Sequence, residues 1–330
     1  MAKVDFLFTL FFLDRMIFLG LFLSLFVSIP VLLLLSGTSS AAPYMFGVTI
    51  DDPWTNQQAI HDALASHTVK PTVRVVFDEN VPATEYIAPV ANIHSAGHVM
   101  GEILDSFYVA DYTVQQYLDR TAEYLDTLVG QVDIWEIGNE VNGDWLGDSN
   151  DVKDKIAGAY ALAREKGVRT ALNFYYNKAC SADNPEHEMF TWISDNITAE
   201  LKNGLDFVFF SYYEDDCEGV TYTKEQWHHV FTRLHTIFPH AKLGFGEIGT
   251  TNTLRKKEYM QRYYSITFDD EYYVGGYFWW YYKQDCVPKS QALWDVLETT
   301  VVQTVTPGTP TKPGKGQAGS AVNLLLLSSP

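Results

Sequence analysis

Two glutamates stand where a carboxylate could do chemistry. Glu140 closes Trp135-Glu-Ile-Gly-Asn-Glu140, which continues a short strand-like segment and then breaks into a polar, glycine-containing loop reaching Trp145. Glu247 lies in Gly244-Phe-Gly-Glu-Ile-Gly249, where glycines on both sides allow close backbone approach. A carboxylate at the end of a buried strand costs solvation energy, so it needs a partner or a task. Neither glutamate is decisive alone. As an opposed pair they match the equipment for breaking a glycosidic bond: a protonated carboxyl donates to the leaving oxygen and an ionised one attacks the anomeric carbon. Mutual repulsion and unequal burial separate the pKa values that such a division of labour needs.

The pair must be held by elements on opposite sides of a cleft. Between residues 44 and 303 the chain alternates strand-like and helix-like segments. Strands are expected at 45–50, 72–77, 99–104, 132–137, 170–175, 207–212, 242–246 and 276–280, each a short apolar, β-branched or aromatic run ending in polar or glycine-containing sequence. Helices are expected between and after them, at 55–66, 83–95, 114–128, 151–166, 186–202, 224–238, 254–266 and 290–302. Eight strand-then-helix units of this total length fit an α/β fold of the (β/α)8 TIM-barrel type, in a single catalytic domain. An open doubly wound sheet alternates in the same way, but no Gly-x-Gly-x-x-Gly follows the first strand. Glu140 and Glu247 are separated by 107 residues (247 − 140), three repeats of roughly 36. That spacing sets them on the fourth and seventh strands, facing each other across the barrel mouth.

Active sites of such barrels lie at the C-terminal ends of the strands. There the chain places Asp51-Asp52, Asp78-Glu79, Asp105, Glu214-Asp215-Asp216 and Trp279-Trp280 beside the two glutamates. An acidic and aromatic rim suits an uncharged, hydroxyl-rich ligand and repels phosphates. The formal net charge of −18 argues equally against a nucleic-acid or anionic-membrane partner. No Cys-x-x-Cys pair suggests a metal, and no cofactor is expected.

The ends read differently. Residues 1–42 hold an uncharged apolar run from Met16 to Leu35 followed by small residues, which reads as a secretory signal or an uncleaved membrane anchor. The domain is therefore expected outside the cytoplasm, secreted or in the cell envelope, touching a membrane only through that segment. Residues 43–303 form the expected domain, acting as a monomer, and 304–330 are a Pro/Gly/Thr-rich tail expected to be disordered. Cys180 and Cys217 follow the adjacent fifth and sixth strands, where a disulfide would brace two loops, with Cys286 left over; the connectivity stays open. Asn196-Ile-Thr198 is a formal glycosylation sequon in a helical context.

Trp135-Glu-Ile-Gly-Asn-Glu140 together with Gly244-Phe-Gly-Glu-Ile-Gly249 resembles the retaining glycoside hydrolases of the large (β/α)8 clan called clan A. The resemblance implies Glu140 as acid/base, Glu247 as nucleophile, and Asn139 as a contact to the hydroxyl beside the anomeric carbon. It extends to Arg74, matching an arginine beside the nucleophile, to Tyr213, matching a tyrosine that hydrogen-bonds it, and to Trp280, matching the aromatic platform under the sugar. Ser211 departs from the clan, where many members carry histidine. Asn142 and Trp145 follow the acid/base and are read as shaping a neighbouring sugar subsite or as plain loop contacts. The expected activity is hydrolysis of O-glycosidic bonds in a poly- or oligosaccharide. A transglycosylase on the same site and a non-catalytic carbohydrate-binding barrel are the alternatives.

Overall fold

A computed structural model describes residues 44–181, 183–217 and 219–306. The readings made for 1–42 and for most of the tail fall outside these residues. Eight parallel strands close into a barrel in chain order: β1 (Met45–Ile50), β2 (Thr72–Val76), β3 (His98–Glu102), β4 (Ile134–Glu136), β5 (Thr170–Tyr175), β6 (Phe207–Tyr212), β7 (Lys242–Ile248) and β8 (Tyr273–Trp279). The helices are α1 (Gln57–Ala65), α2 (Ile87–Ala96), α3 (Val114–Thr127), α4 (Ser149–Lys166), α5 (Met189–Asn196), α6 (Ala199–Gly204), α7 (Lys224–Ile237), α8 (Lys256–Tyr264), α9 (Tyr282–Cys286) and α10 (Ala292–Val305). The expected (β/α)8 barrel is therefore the observed fold. No helix among the described residues is long and apolar enough to cross a membrane.

Local chemistry accounts for most of the boundaries. Thr113 and Gln116 form a reciprocal cap at the start of α3, and Thr223 and Gln226 repeat it on α7. Asp148 caps α4, which ends on Gly167 in the left-handed conformation (φ 67°). The single helix expected over 186–202 is instead two, α5 and α6. Ile197 is extended, and the Thr198 hydroxyl accepts from the Leu201 N–H to start a new helix. The last helix runs to Val305, slightly past the expected boundary.

Alternation along the strands divides the core in two. Val73, Val75, Trp135, Leu172, Phe174, Val208, Phe210 and Phe245 belong to the large cluster between barrel and helices. Met100, Ile134, Ala171, Phe207, Phe209, Val274 and Phe278 form a separate cluster. On the same parity as that second cluster, further along the strands, come Glu102 after Met100, Glu136 after Ile134, and Asn173 after Ala171. Arg74 pairs in register with Met100, and Glu102 with Glu136. The apolar part of the barrel thus gives way to a charged layer towards the strands' C-terminal ends. From α3, buried Arg120 donates to the carbonyls of Phe77, Asp78 and Ile103, fixing the chain where β2 and β3 end.

Candidate active site

Glu247 sits near the end of β7, where the preceding Gly246 lies against the Asn173 side chain of β5. A Cβ on Gly246 would fall 2.2 Å from Asn173 Oδ1, so only glycine fits there. The Glu247 carboxylate receives the Tyr213 hydroxyl on Oε2 at 2.8 Å and faces Arg74 Nη1 from Oε1 at 2.7 Å. Its backbone N–H donates to Ser211 Oγ at 3.2 Å. Where the clan resemblance leads one to expect histidine, this chain has a serine that accepts from the Glu247 backbone.

Arg74 is the hub of the charged layer. Its guanidinium binds Glu136 through Nε (2.6 Å) and Nη2 (3.0 Å), and Nη2 also lies 2.9 Å from Glu102 Oε2. One cation among Glu102, Glu136 and Glu247 cannot balance three carboxylates. Burial pushes Glu102 well above the ordinary carboxylate range despite Arg74. Burial, with Asp105 and Glu136 nearby, also raises Glu247, and Arg74 and the Tyr213 hydroxyl only partly oppose that rise. Replacing Arg74 with alanine is expected to lower stability by about 3–5 kcal/mol near neutral pH, because it strands buried carboxylates. The loss should shrink as the pH falls and those glutamates protonate. Denaturant unfolding of both proteins at pH 7 and pH 5 measures it; an equal loss at the two values would contradict the charge-based cause.

Glu140 lies four residues beyond β4, in the left-handed region at φ 46°, an unusual conformation for a residue with a side chain. Its carbonyl accepts from the Gly143 N–H at 2.7 Å, closing a tight turn, while Val141 N–H donates to the Asn173 carbonyl at 3.2 Å. Ser106 Oγ donates to Glu140 Oε2 at 3.1 Å. Burial drives Glu140 well above the usual carboxylate range, and Glu247 and Asp105 push it further; the Ser106 bond and Arg74 only partly offset them. The two glutamates are thus placed unequally. Glu247 touches a cation and Glu140 does not.

Both line one cleft of about 410 Å³, with Asn139, Tyr213 and Trp280. Trp280 follows β8 and faces Arg74 with its ring (5.9 Å), whereas Trp279 is fully buried and donates to Asp285. Asn139 Oδ1 accepts from Asn173 Nδ2, whose second bond goes to Ser211 Oγ, both at 2.8 Å. Asn173 therefore ties Asn139, next to Glu140, to the serine under Glu247. Asn173, Glu102 and Glu136 were not among the expected site residues. Their signal was present, as polar residues at inward positions of apolar strands.

Two expectations about the rim require correction. Asn142 is fully buried and does not line the cleft. Its Nδ2 donates to the Tyr175 and His187 carbonyls and its Oδ1 accepts from the Tyr175 N–H. All its polar capacity goes into stapling loops, so it is the plain loop contact. Asn142→Ala should cost about 2 kcal/mol in unfolding measurements by leaving backbone groups unpaired; an unchanged unfolding midpoint would refute this. Glu214, read as part of the acidic rim, is likewise buried, bound by Arg255, Arg262, Tyr263 and Thr221. Asp51, Asp52, Asp78 and Glu79 are also absent from the cleft wall, while Asp105, Asp215, Asp216, Ser106, Trp145, Tyr175 and Tyr281 belong to it.

Cys180 and Cys217 are bonded, joining the loops after β5 and β6, and Cys286 is a buried free thiol on α9. Among the described residues no group of His, Cys, Asp and Glu could hold a metal ion.

No protein-family model and no curated protein matches the sequence. Solved structures do resemble the fold. The GH53 catalytic domain of Ignisphaera aggregans superposes with a TM-score of 0.52 at 13% identity, covering 73% of this chain and 86% of that one. Xylanase 10B of Thermotoga petrophila in complex with xylobiose gives 0.52 at 13% identity over 78% and 95%. Gas2p of Saccharomyces cerevisiae with laminaritetraose and laminaripentaose gives 0.53 at 12% identity over 87% and 69%. At these identities the likeness is one of fold.

Proposed function

We propose that this chain is an exported retaining β-glycosidase, with Glu247 the nucleophile and Glu140 the acid/base. One observation carries the reading. Two buried carboxylates line a single cleft at the C-terminal end of the barrel, one beside a guanidinium and one pushed towards its protonated form. In the first step Glu247 attacks the anomeric carbon while Glu140 gives its proton to the departing glycosidic oxygen. A covalent glycosyl-Glu247 ester results. In the second, Glu140, now ionised, takes a proton from water as that water attacks the same carbon and frees Glu247. The retaining assignment carries the expectation that the carboxyl groups work ~5–5.5 Å apart. Arg74 and the Tyr213 hydroxyl favour the ionised nucleophile against the upward push of burial, and Trp280 offers a flat apolar face to the sugar.

The cleft also supports a choice of substrate. Asp105, Asp215 and Asp216 join the two glutamates in its wall, and among the described residues no Lys, Arg or His does. A neutral glycan fits this wall, while uronates and sulfated sugars are repelled. Carbohydrate ligands in the xylanase and Gas2p structures agree with a sugar-binding mouth on this fold. Export rests on the apolar run of residues 16–35. The test is incubation with β-glucans, xylans, mannans and galactans, followed by mass spectrometry of the products. Shortened chains support hydrolysis, and lengthened chains would show transfer to a second sugar. Saturable binding without any product would instead favour a binding protein.

A further inference from the structure

We propose that Ser106, held by Trp145, dictates which oxygen of Glu140 carries the catalytic proton; this rests on Glu140 being the acid of the proposed reaction. Ser106 opens the turn after β3 and is buried. Trp145, beyond Glu140 in the next loop, donates its indole N–H to Ser106 Oγ at 3.2 Å. An indole nitrogen can only donate, so Ser106 is the acceptor in that bond. The serine's own single proton must go elsewhere, and among the described residues its one acceptor is Glu140 Oε2, at 3.1 Å.

The chain therefore runs one way, from Trp145 to Ser106 to Glu140. Oε2 is occupied as an acceptor, and Oε1 is left to carry the acid's proton on a side chain that lines the cleft. The reverse arrangement, with the proton on Oε2 donated to Ser106, would leave the serine O–H without a protein acceptor among the described residues. It would also bind the transferable proton to protein instead of presenting it to substrate. During the first step the Oε1–H bond breaks and the proton moves to the glycosidic oxygen, while Ser106 goes on stabilising the carboxylate through Oε2. In the second step Oε1 receives a proton from the attacking water. Ser106 is thus a positioning residue acting through Glu140. Nothing in the glutamate motifs announces it, because it comes from a different loop.

The experiment follows Glu140 by carbon NMR in the full chain labelled at glutamate Cδ, with the Glu140 signal assigned by its loss in Glu140→Gln. Ser106→Ala removes a donor to the carboxylate, so the Glu140 titration should move up by about one pH unit. Ser106→Thr keeps the hydroxyl and should return it to the wild-type position, and Trp145→Phe should give an intermediate shift. On whichever xylo- or laminari-oligosaccharide is cleaved, Ser106→Ala should lower kcat roughly ten-fold with little change in KM and move the alkaline limb of the profile upward. An unmoved Glu140 titration in Ser106→Ala overturns the proposal. A moved titration in a protein that cleaves no glycan leaves the hydrogen-bond direction standing and removes the glycosidase reading, so the two failures are separable.

Discussion

Replacing Glu247 with glycine is expected to reduce glycoside cleavage by on the order of 10⁵–10⁶-fold, the scale seen when a nucleophile is removed from a covalent mechanism. In the proposed mechanism the substitution deletes the atom that forms the ester. It leaves Tyr213 and Arg74 without the carboxylate they now flank at 2.8 and 2.7 Å. A small anion such as azide can then enter the vacated space beside Arg74 and attack the sugar directly. With an activated aryl glycoside it should restore turnover and yield a glycosyl azide of inverted configuration, because only one displacement remains. Glutamine at the same position should be as inactive in water, since an amide is a poor nucleophile. Substantial residual activity in Glu247→Gln would remove Glu247 from the mechanism.

Replacing Glu140 with alanine should produce a different signature. Loss of general acid catalysis costs about 10²–10⁴-fold, and the cost should depend on the leaving group. Glycosides of acidic phenols, whose oxygens depart without protonation, should lose little in the first step. Natural oligosaccharides should lose nearly everything. The pH profile supplies the second half of the test. Burial with Glu247 and Asp105 nearby holds Glu140 well above the ordinary carboxylate range. The reactive form has Glu140 protonated and Glu247 ionised, so activity falls as pH rises through the Glu140 pKa and falls again at low pH as Glu247 protonates. Glu140→Ala should abolish the alkaline limb for activated substrates. A profile that keeps that limb would assign it to another group.

Much of the barrel was legible because strand runs and helix caps are local signals. The expected strands 45–50, 170–175 and 207–212 coincide with β1, β5 and β6. β7 extends to Ile248, past the expected end, because Ile248 still pairs with Tyr212 and Trp279 across the sheet. β8 begins earlier than expected, at Tyr273. Gly275 and Gly276 at φ 96° and 93° and Tyr277 at φ 70° bend the strand without ending it. The glycines looked like a boundary in sequence and are part of the strand in space.

The site divides along the same line. Glu140, Glu247, Arg74, Asn139, Tyr213 and Trp280 carry motif signals, and the fold brings them to one mouth, with Arg74 just beneath it. Asn142 was misplaced because nearness to Glu140 along the chain is not nearness to the cleft once the backbone turns at φ 46°. Ser106 and Asn173 had no motif to mark them; their roles depend on loops and strands distant in sequence, 34 residues from their partners Glu140 and Asn139. Glu102 and Glu136 could have been found from Arg74 alone, since a buried guanidinium demands carboxylates on neighbouring strands at the same inward parity.

The central claim is that Glu140 and Glu247 cleave a glycosidic bond with retention. Proton NMR of the reducing end formed in the first minutes of reaction, on the best substrate of the glycan panel, tests it most directly. The β anomer should appear first, and the α anomer should grow in later by mutarotation. An α anomer formed first would contradict the double displacement through Glu247, and a wild-type protein that cleaves nothing in the panel would contradict the glycosidase itself.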